Sequence, residues 1–345
     1  GITSLGIQAL LIKWVIVGLL TTIILTLSVR EVWTLHGKTA SLKPLLEFAY
    51  PLVLSFLFAF FFSEFLVRYF LNFFGVYELG LYGFAVRMVT FVSALTIGFY
   101  TALSSYYAQA YGKSDREKLE MELRWTLKIS FFLFLPLILG VMVISPSFFL
   151  MLLPNYYWAY QYFIILMAQI FLLLFSRPYS LILNALAKTQ TVLIVEVISS
   201  VLSGVLMFLF FIYAPLIVLW GLIDNALLLV VLGYASSGFF AFVLYAMVIR
   251  RYVGINLGLR QVLPLVLIGL CIFPPAVLIH ILYLPPLYEF ALIVIISTLI
   301  YLLPIRYFRV ISEAEIRKAS QFLPKRFSRR FANILVFLFV RNSSP

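Results

Sequence analysis

The stretch KISFFLFLPLILGVMVISPSFFLMLLPNYY, residues 128–157, decides the fold. Between Lys128 and Pro154 it carries a long apolar run without a single charge. About 20 helical residues cross about 30 Å of hydrocarbon, so this run is long enough to span a bilayer. On its N-terminal side lies a basic connector, residues 113–128, and on its C-terminal side a connector without bases, residues 154–157. The same pattern repeats outward in both directions. The expected spans are residues 5–29, 45–74, 80–112, 129–153, 159–186, 191–214, 226–249, 262–282 and 287–307, which predicts nine crossings. Short alternating segments of the kind a membrane β-barrel needs are absent, so the predicted fold is an all-α, polytopic helical membrane protein.

Lysine and arginine outside the apolar runs fall in alternate connectors: residues 30–43, 113–128, the turn at Lys188, 250–260 and the tail 306–341. The connectors between them hold only neutral polar or acidic groups, among them Glu78, Asp224 and Glu289. Cytoplasmic loops retain Lys and Arg, so the alternation predicts a multi-pass protein of the cell membrane with a cytoplasmic C-terminus and an external start. The first run is too long for a signal-peptide core and has no cleavage pattern. A chain that starts outside without an export signal reads as the remainder of a longer protein.

Composition limits the function classes. With 64% hydrophobic and 11% charged residues, 345 residues cannot hide their apolar groups in a water-soluble globule. The net charge of +12 sits at membrane edges, where anionic inner-leaflet lipid is the natural partner. Nucleic acid is excluded as a partner, because there is no basic domain outside the membrane. Cys271 is the single cysteine and lies in an apolar run, so neither an intrachain disulfide nor a cysteine metal cluster is available. No phosphate loop, histidine metal spacing or nucleophile elbow occurs, so no cofactor and no enzymatic activity are expected.

Prolines inside the runs, at Pro51, Pro136, Pro178, Pro264 and the Pro274–Pro275 pair, each remove a backbone hydrogen bond. Kinks are expected there, tolerated where a neighbouring helix or cavity water satisfies the freed carbonyl. Tyr156, Tyr157, Trp158, Tyr160 and Tyr162 at one edge, and Tyr106, Tyr107 and Tyr111 at the other, read as interfacial anchors. Residues 215–225 are apolar yet too short to cross and read as an external interfacial segment. The tail, residues 308–345, is basic and ends in an apolar run, 331–340, that reads as an anchor along the inner leaflet.

Four cations, Lys13, Arg68, Arg87 and Arg177, and two acids, Glu64 and Glu196, remain inside the runs. Ionisable groups at such depth are costly and usually face a bundle interior or a water-filled pathway. Arg68 precedes Gly75 by seven residues and Arg87 follows Gly80 by seven, which puts both about 10 Å below the outer surface. Two guanidiniums at one depth suit a single anionic guest such as a lipid diphosphate. Glu64, four residues before Arg68, shares its helical face, so that pair reads either as substrate-binding or as purely structural. Arg177 lies about 16 Å deep, near the midplane. It forms either a structural ion pair with Glu196 or part of a cavity lining. Lys13 reads as snorkelling to the headgroups.

Five segments, FAYPLVLS (48–55), YFLNFFGVYELGLYGFAVRM (69–88), SYYAQAYGKSDREKLE (105–120), LLPNYYWAYQYFIILM (152–167) and LILNALAKTQ (181–190), stand in an informative order. Together they resemble the polysaccharide flippases of the multidrug/oligosaccharidyl-lipid/polysaccharide exporter superfamily, from residue 48 to about 254. The resemblance implies two six-helix lobes followed by two extra helices. On that pattern residues 1–30 hold the last helix of a first lobe whose first five helices are missing, 44–252 the second lobe, and 260–307 the extra pair. GFAVRM (83–88) is similar to the segment in which lipid II flippases carry a cavity arginine, which by resemblance assigns Arg87 to the cavity. Where flippases often have an acidic–basic pair, this chain has Val67–Arg68, so the carry-over to Arg68 is weaker.

The resemblance implies a flippase moving a lipid-linked oligosaccharide or polysaccharide precursor from the inner to the outer leaflet by alternating access. Its diphosphate would be bound by Arg87, joined by Arg68 or Arg177. A drug or toxin exporter of the same superfamily is the alternative, though such exporters favour buried acids over bases. A membrane glycosyltransferase would need paired external carboxylates, which no connector offers. A non-transporting scaffold half-protein is the remaining class.

Overall fold

The computed structural model describes residues 16, 19, 20, 23, 42–111, 116–219, 226–253, 259–282, 284–307, 311–320, 335 and 336. They divide into two units, Gly1–Glu47 and Phe48–Pro345. In the first, Ile16, Leu19, Leu20 and Ile23 are helical and exposed, and the opening turns of α1 (Leu42–Ala59) are also helical. The expected span at residues 5–29, Lys13 included, otherwise lies outside the described residues, as does most of the tail.

The second unit is all-α, with no strand among the described residues. After α1 come a π-helical turn (Phe60–Phe65), α2 (Leu66–Phe74), α3 (Val76–Tyr111), α4 (Arg116–Leu152), α5 (Ala159–Ala185), α6 (Thr189–Leu219), α7 (Ala226–Val248), α8 (Leu259–Leu270), α9 (Phe273–Ile281), α10 (Pro286–Tyr307) and α11 (Glu313–Ser320). Eight helices among the described residues are long and apolar enough to cross a membrane: Ala49–Phe74, Val76–Ser104, Glu120–Leu152, Ala159–Ala185, Thr189–Tyr213, Leu227–Arg251, Val262–Ile281 and Pro286–Tyr307. The chain is a multi-pass membrane protein.

Several boundaries depart from expectation. Gly75, at φ 125°, turns the chain in one residue, so residues 76–79 open α3 instead of forming a connector. A side chain there would be strained, which is why glycine stands at this turn. The basic stretch Arg116–Lys128 is the first part of α4, because its charges can reach water while the helix runs on. Pro215–Leu219 continues α6 rather than forming a separate interfacial segment.

Inside hydrocarbon, each freed carbonyl needs another donor. Pro136 removes the partner of the Phe132 carbonyl, and Tyr301 of α10 donates its hydroxyl to it at 2.9 Å. Pro146 frees the Met142 carbonyl, which accepts from Ser145 at 2.8 Å. Pro178 frees the Leu174 carbonyl, which accepts from Tyr100 of α3 at 3.4 Å. Two of the three repairs come from a neighbouring helix and therefore fix how helices pack: α10 on α4, and α3 on α5.

Close packing supplies the rest. A Cβ at Gly233 would lie 2.7 Å from the Met207 Cα, so glycine lets α7 meet the backbone of α6. Tyr162 and Tyr107, expected at the interface, are buried. Tyr162 donates to Glu78 at 2.7 Å, and Tyr107 to Thr126 Oγ1 at 2.6 Å. A side chain with a polar tip fits the core as well as the interface when the tip finds an acceptor. Trp158, by contrast, is exposed, as an anchor would be.

At the basic end, α11 closes onto α4. Ser312 and Glu315 form a reciprocal capping box, with Ser312 N–H donating to Glu315 at 2.8 Å and Glu315 N–H to Ser312 Oγ at 3.3 Å. Lys128 donates to the same carboxylate at 2.8 Å. Lys318 reaches back to buried Glu122 at 2.6 Å and lies over the Trp125 ring at 4.6 Å. Burial pushes the Glu315 carboxyl up, but the bonds from Lys128 and Ser312 outweigh it and hold the group below its ordinary range.

Tyr301→Phe should cost about 1 kcal/mol of stability, near the upper range measured for interhelical hydrogen bonds in membranes. The cost should shrink in a Pro136→Ala background, where a backbone N–H can serve Phe132 again; thermal unfolding of the four proteins in detergent measures the coupling. Because the Glu315 pKa is depressed on folding, its contribution is complete above the ordinary carboxylate range and is lost as pH falls through the folded value. Protection of the α11 amides against hydrogen exchange, relative to their intrinsic rates at each pH, should therefore be high at neutral pH and fall on acidification, with Glu315→Gln already poorly protected at pH 7.

Candidate functional site

A polar seam runs between α3 and α5, walled further by the π-turn segment, α6 and α7. It contains two cavities. One, about 330 Å³, gathers Glu64, Gln169, Arg177, Glu196 and Tyr234 among serines of three helices. The other, about 480 Å³, is lined by Thr96, Thr101, Ser104, Arg177, Ser180 and Asn184 with apolar neighbours. Arg177, Ser93, Ile170 and Leu173 border both, so the guanidinium stands where the two cavities meet.

The helices explain this arrangement. Along α5 the lining residues Gln169, Ile170, Leu173, Arg177, Ser180 and Asn184 recur at helical spacing on one face. Pro178 follows Arg177 directly, and the Tyr100 bond to Leu174 pins this part of α5 to α3. On α7, Tyr234, Ser237, Ala241 and Tyr245 form one column. Tyr234 donates to Glu64 at 2.8 Å, Gln169 to Ser237 at 2.9 Å, and Tyr245 to Glu196 at 2.7 Å. One face of α7 therefore binds both intramembrane carboxylates. Burying an ionised carboxylate without such donors costs several kcal/mol.

The predicted residues are distributed as follows. Glu64 pairs with Arg68 at 3.2 Å, four residues on, with the arginine side chain 56% exposed. Glu196 and Arg177 share a cavity but form no ion pair among the described residues; the Glu196 carboxylate accepts from Tyr245 instead. Of the two arrangements expected for Arg177, the structure has it lining a cavity. Arg87 is exposed on α3 and lines neither cavity of the seam. Because α3 begins at Val76, Arg87 lies about 18 Å along it from the Gly75 turn, against about 10 Å for Arg68, so the two are not at one depth.

Tyr234, Tyr245, Gln169 and Asn184 escape a sequence reading built on charges alone. A signal is present on α3, where Thr90, Ser93, Thr101 and Ser104 recur at helical spacing within an apolar run. No group of three His, Cys, Asp or Glu among the described residues is arranged to hold a metal ion. A further cavity of about 360 Å³, between α4 and α10, is lined by apolar groups such as Leu133, Leu137 and Val294 and includes no charged residue.

The MatE family model matches residues 51–209, from α1 into α6. That family comprises membrane transporters of the multidrug/oligosaccharidyl-lipid/polysaccharide exporter superfamily, and its members are not enzymes. No curated protein and no solved structure matches the chain.

Proposed function

We propose that the protein is a flippase that moves a lipid-linked oligosaccharide or polysaccharide precursor from the inner to the outer leaflet of the cell membrane by alternating access. Residues 44–252 would act as one six-helix lobe and 260–307 as the added pair, with the basic ends of the helices cytoplasmic. The observation that carries this reading is Arg177, a guanidinium about 12 Å inside its span from the basic end that borders two polar cavities and has no ion-pair partner among the described residues. A planar fork of donors in a low-dielectric hollow favours a diphosphate over a neutral guest. Arg68, already held by Glu64, and Arg87 add positive charge on exposed faces of α2 and α3. An exposed arginine within a span is costly against lipid, so these faces suit a water-filled pathway.

A second reading, export of a cationic drug or toxin, draws on the two carboxylates that line the smaller cavity with one guanidinium. Both carboxylates already accept hydrogen bonds from α7, which weakens their claim on an external cation.

Transport of a lipid-linked oligosaccharide by the full-length protein in proteoliposomes decides between them. Removing a charge-assisted contact costs about 1.5–3 kcal/mol, so Arg177→Gln should slow flipping by about 10- to 100-fold. No flipping by the unaltered protein, together with export of an organic cation that is lost in Glu196→Gln, would transfer the assignment to the second reading, and unchanged flipping in Arg177→Gln would remove Arg177 from the site.

A further inference from the structure

The larger cavity has a chemical polarity of its own. Along α3 five serine and threonine hydroxyls spend their protons on the helix: Thr90 on the Val86 carbonyl at 2.8 Å, Ser93 on Thr90 at 3.0 Å, Thr96 on Ser93 at 2.8 Å, Thr101 on Ile97 at 2.9 Å and Ser104 on Thr101 at 2.7 Å. A hydroxyl that donates inward still has lone pairs to offer outward. Four of these oxygens, Ser93, Thr96, Thr101 and Ser104, line the cavity. Across from them Asn184 Oδ1 is buried without a hydrogen-bond partner, although its residue borders the same space.

Apart from Arg177, whose guanidinium only donates, the polar wall is therefore built chiefly of acceptors. A ligand matching it has an anionic group at one end and several O–H donors beyond. That is the chemistry of a sugar phosphate. Arg177 lies at the boundary with the smaller cavity, and the acceptors continue from it toward Ser104 and Asn184, near the basic ends of α3 and α5.

We infer that the larger cavity is a polyol subsite, in which Thr101 and Ser104 accept hydrogen bonds from the first sugar while Arg177 holds the phosphate beside it. The inference rests on the flippase reading and adds to it the residues that read the sugar and the direction in which it lies. A lipid-linked sugar entering from the basic side would present its phosphate to the membrane interior and its sugar to the water, the same order as the wall.

The test uses the purified full chain in nanodiscs, with inorganic phosphate and glucose 1-phosphate as probes in equilibrium titrations. Two added hydrogen bonds of about 0.5–1 kcal/mol each predict that glucose 1-phosphate binds about 10-fold more tightly than phosphate. Thr101→Val combined with Ser104→Ala should erase that advantage and leave phosphate affinity unchanged, which also reports that the variant is folded. Arg177→Gln should weaken both probes together. Equal binding of the two probes by the unaltered protein, or an advantage that survives the double variant, overturns the subsite. Loss of the sugar advantage in the double variant, with no flipping of lipid-linked oligosaccharide by the unaltered protein, would instead strike the flippase reading and leave the subsite standing.

Discussion

Hydrocarbon offers no hydrogen bonds, and that one constraint organises the molecule. A helix satisfies its own backbone until a proline interrupts it, and then another group must donate. Tyr301, Ser145 and Tyr100 supply those donors to Phe132, Met142 and Leu174. The two tyrosines do more than repair a defect. Each reaches its carbonyl from another helix, so a local break in α4 or α5 becomes a fixed tertiary contact. The Tyr100 contact is made three residues before Arg177, which means that the packing of α3 on α5 and the position of the central guanidinium have one cause.

The same rule governs charge. Glu64 and Glu196 would be prohibitively costly alone, and α7 presents Tyr234 and Tyr245 on one face to meet them. With the acids occupied, Arg177 is left bordering open space on two sides. An exporter reading from the MatE match and a polar seam between helices are thus consistent at the level of transport. Unspent hydrogen-bonding capacity in the seam lies with the guanidinium, the hydroxyl oxygens and the second oxygen of Glu196, whose first oxygen accepts from Tyr245.

Much of this is legible in the chain. Apolar runs of adequate length fix the spans, and eight described helices correspond to the expected ones from residue 45 onward. Boundaries are harder to read where composition and conformation part: Arg116–Lys128 looks like a loop because it is basic, yet a helix can run on into water, and Gly75 makes a turn too short for any composition to signal. Depth can be counted from sequence, which is how Arg177 stands out as a residue near the midplane. Its neighbours cannot, because the rotation of α5 against α6 and α7 is set by packing, and periodicity within one helix is silent about it. Tyrosine misleads for a related reason. Tyr162 and Trp158 belong to one aromatic cluster in the sequence, but Trp158 is exposed while Tyr162 is buried, because Glu78 arrives from α3 to accept its hydroxyl.

Gly75 has a mechanical corollary. With a single residue joining α2 to α3, the two helices have no slack with which to slide lengthwise past one another. The π-helical turn that precedes α2 is therefore tied closely to α3, the helix that carries the hydroxyl-bearing wall of the seam. A joint so short couples the placement of an outward-facing, phenylalanine-rich segment to that of the wall.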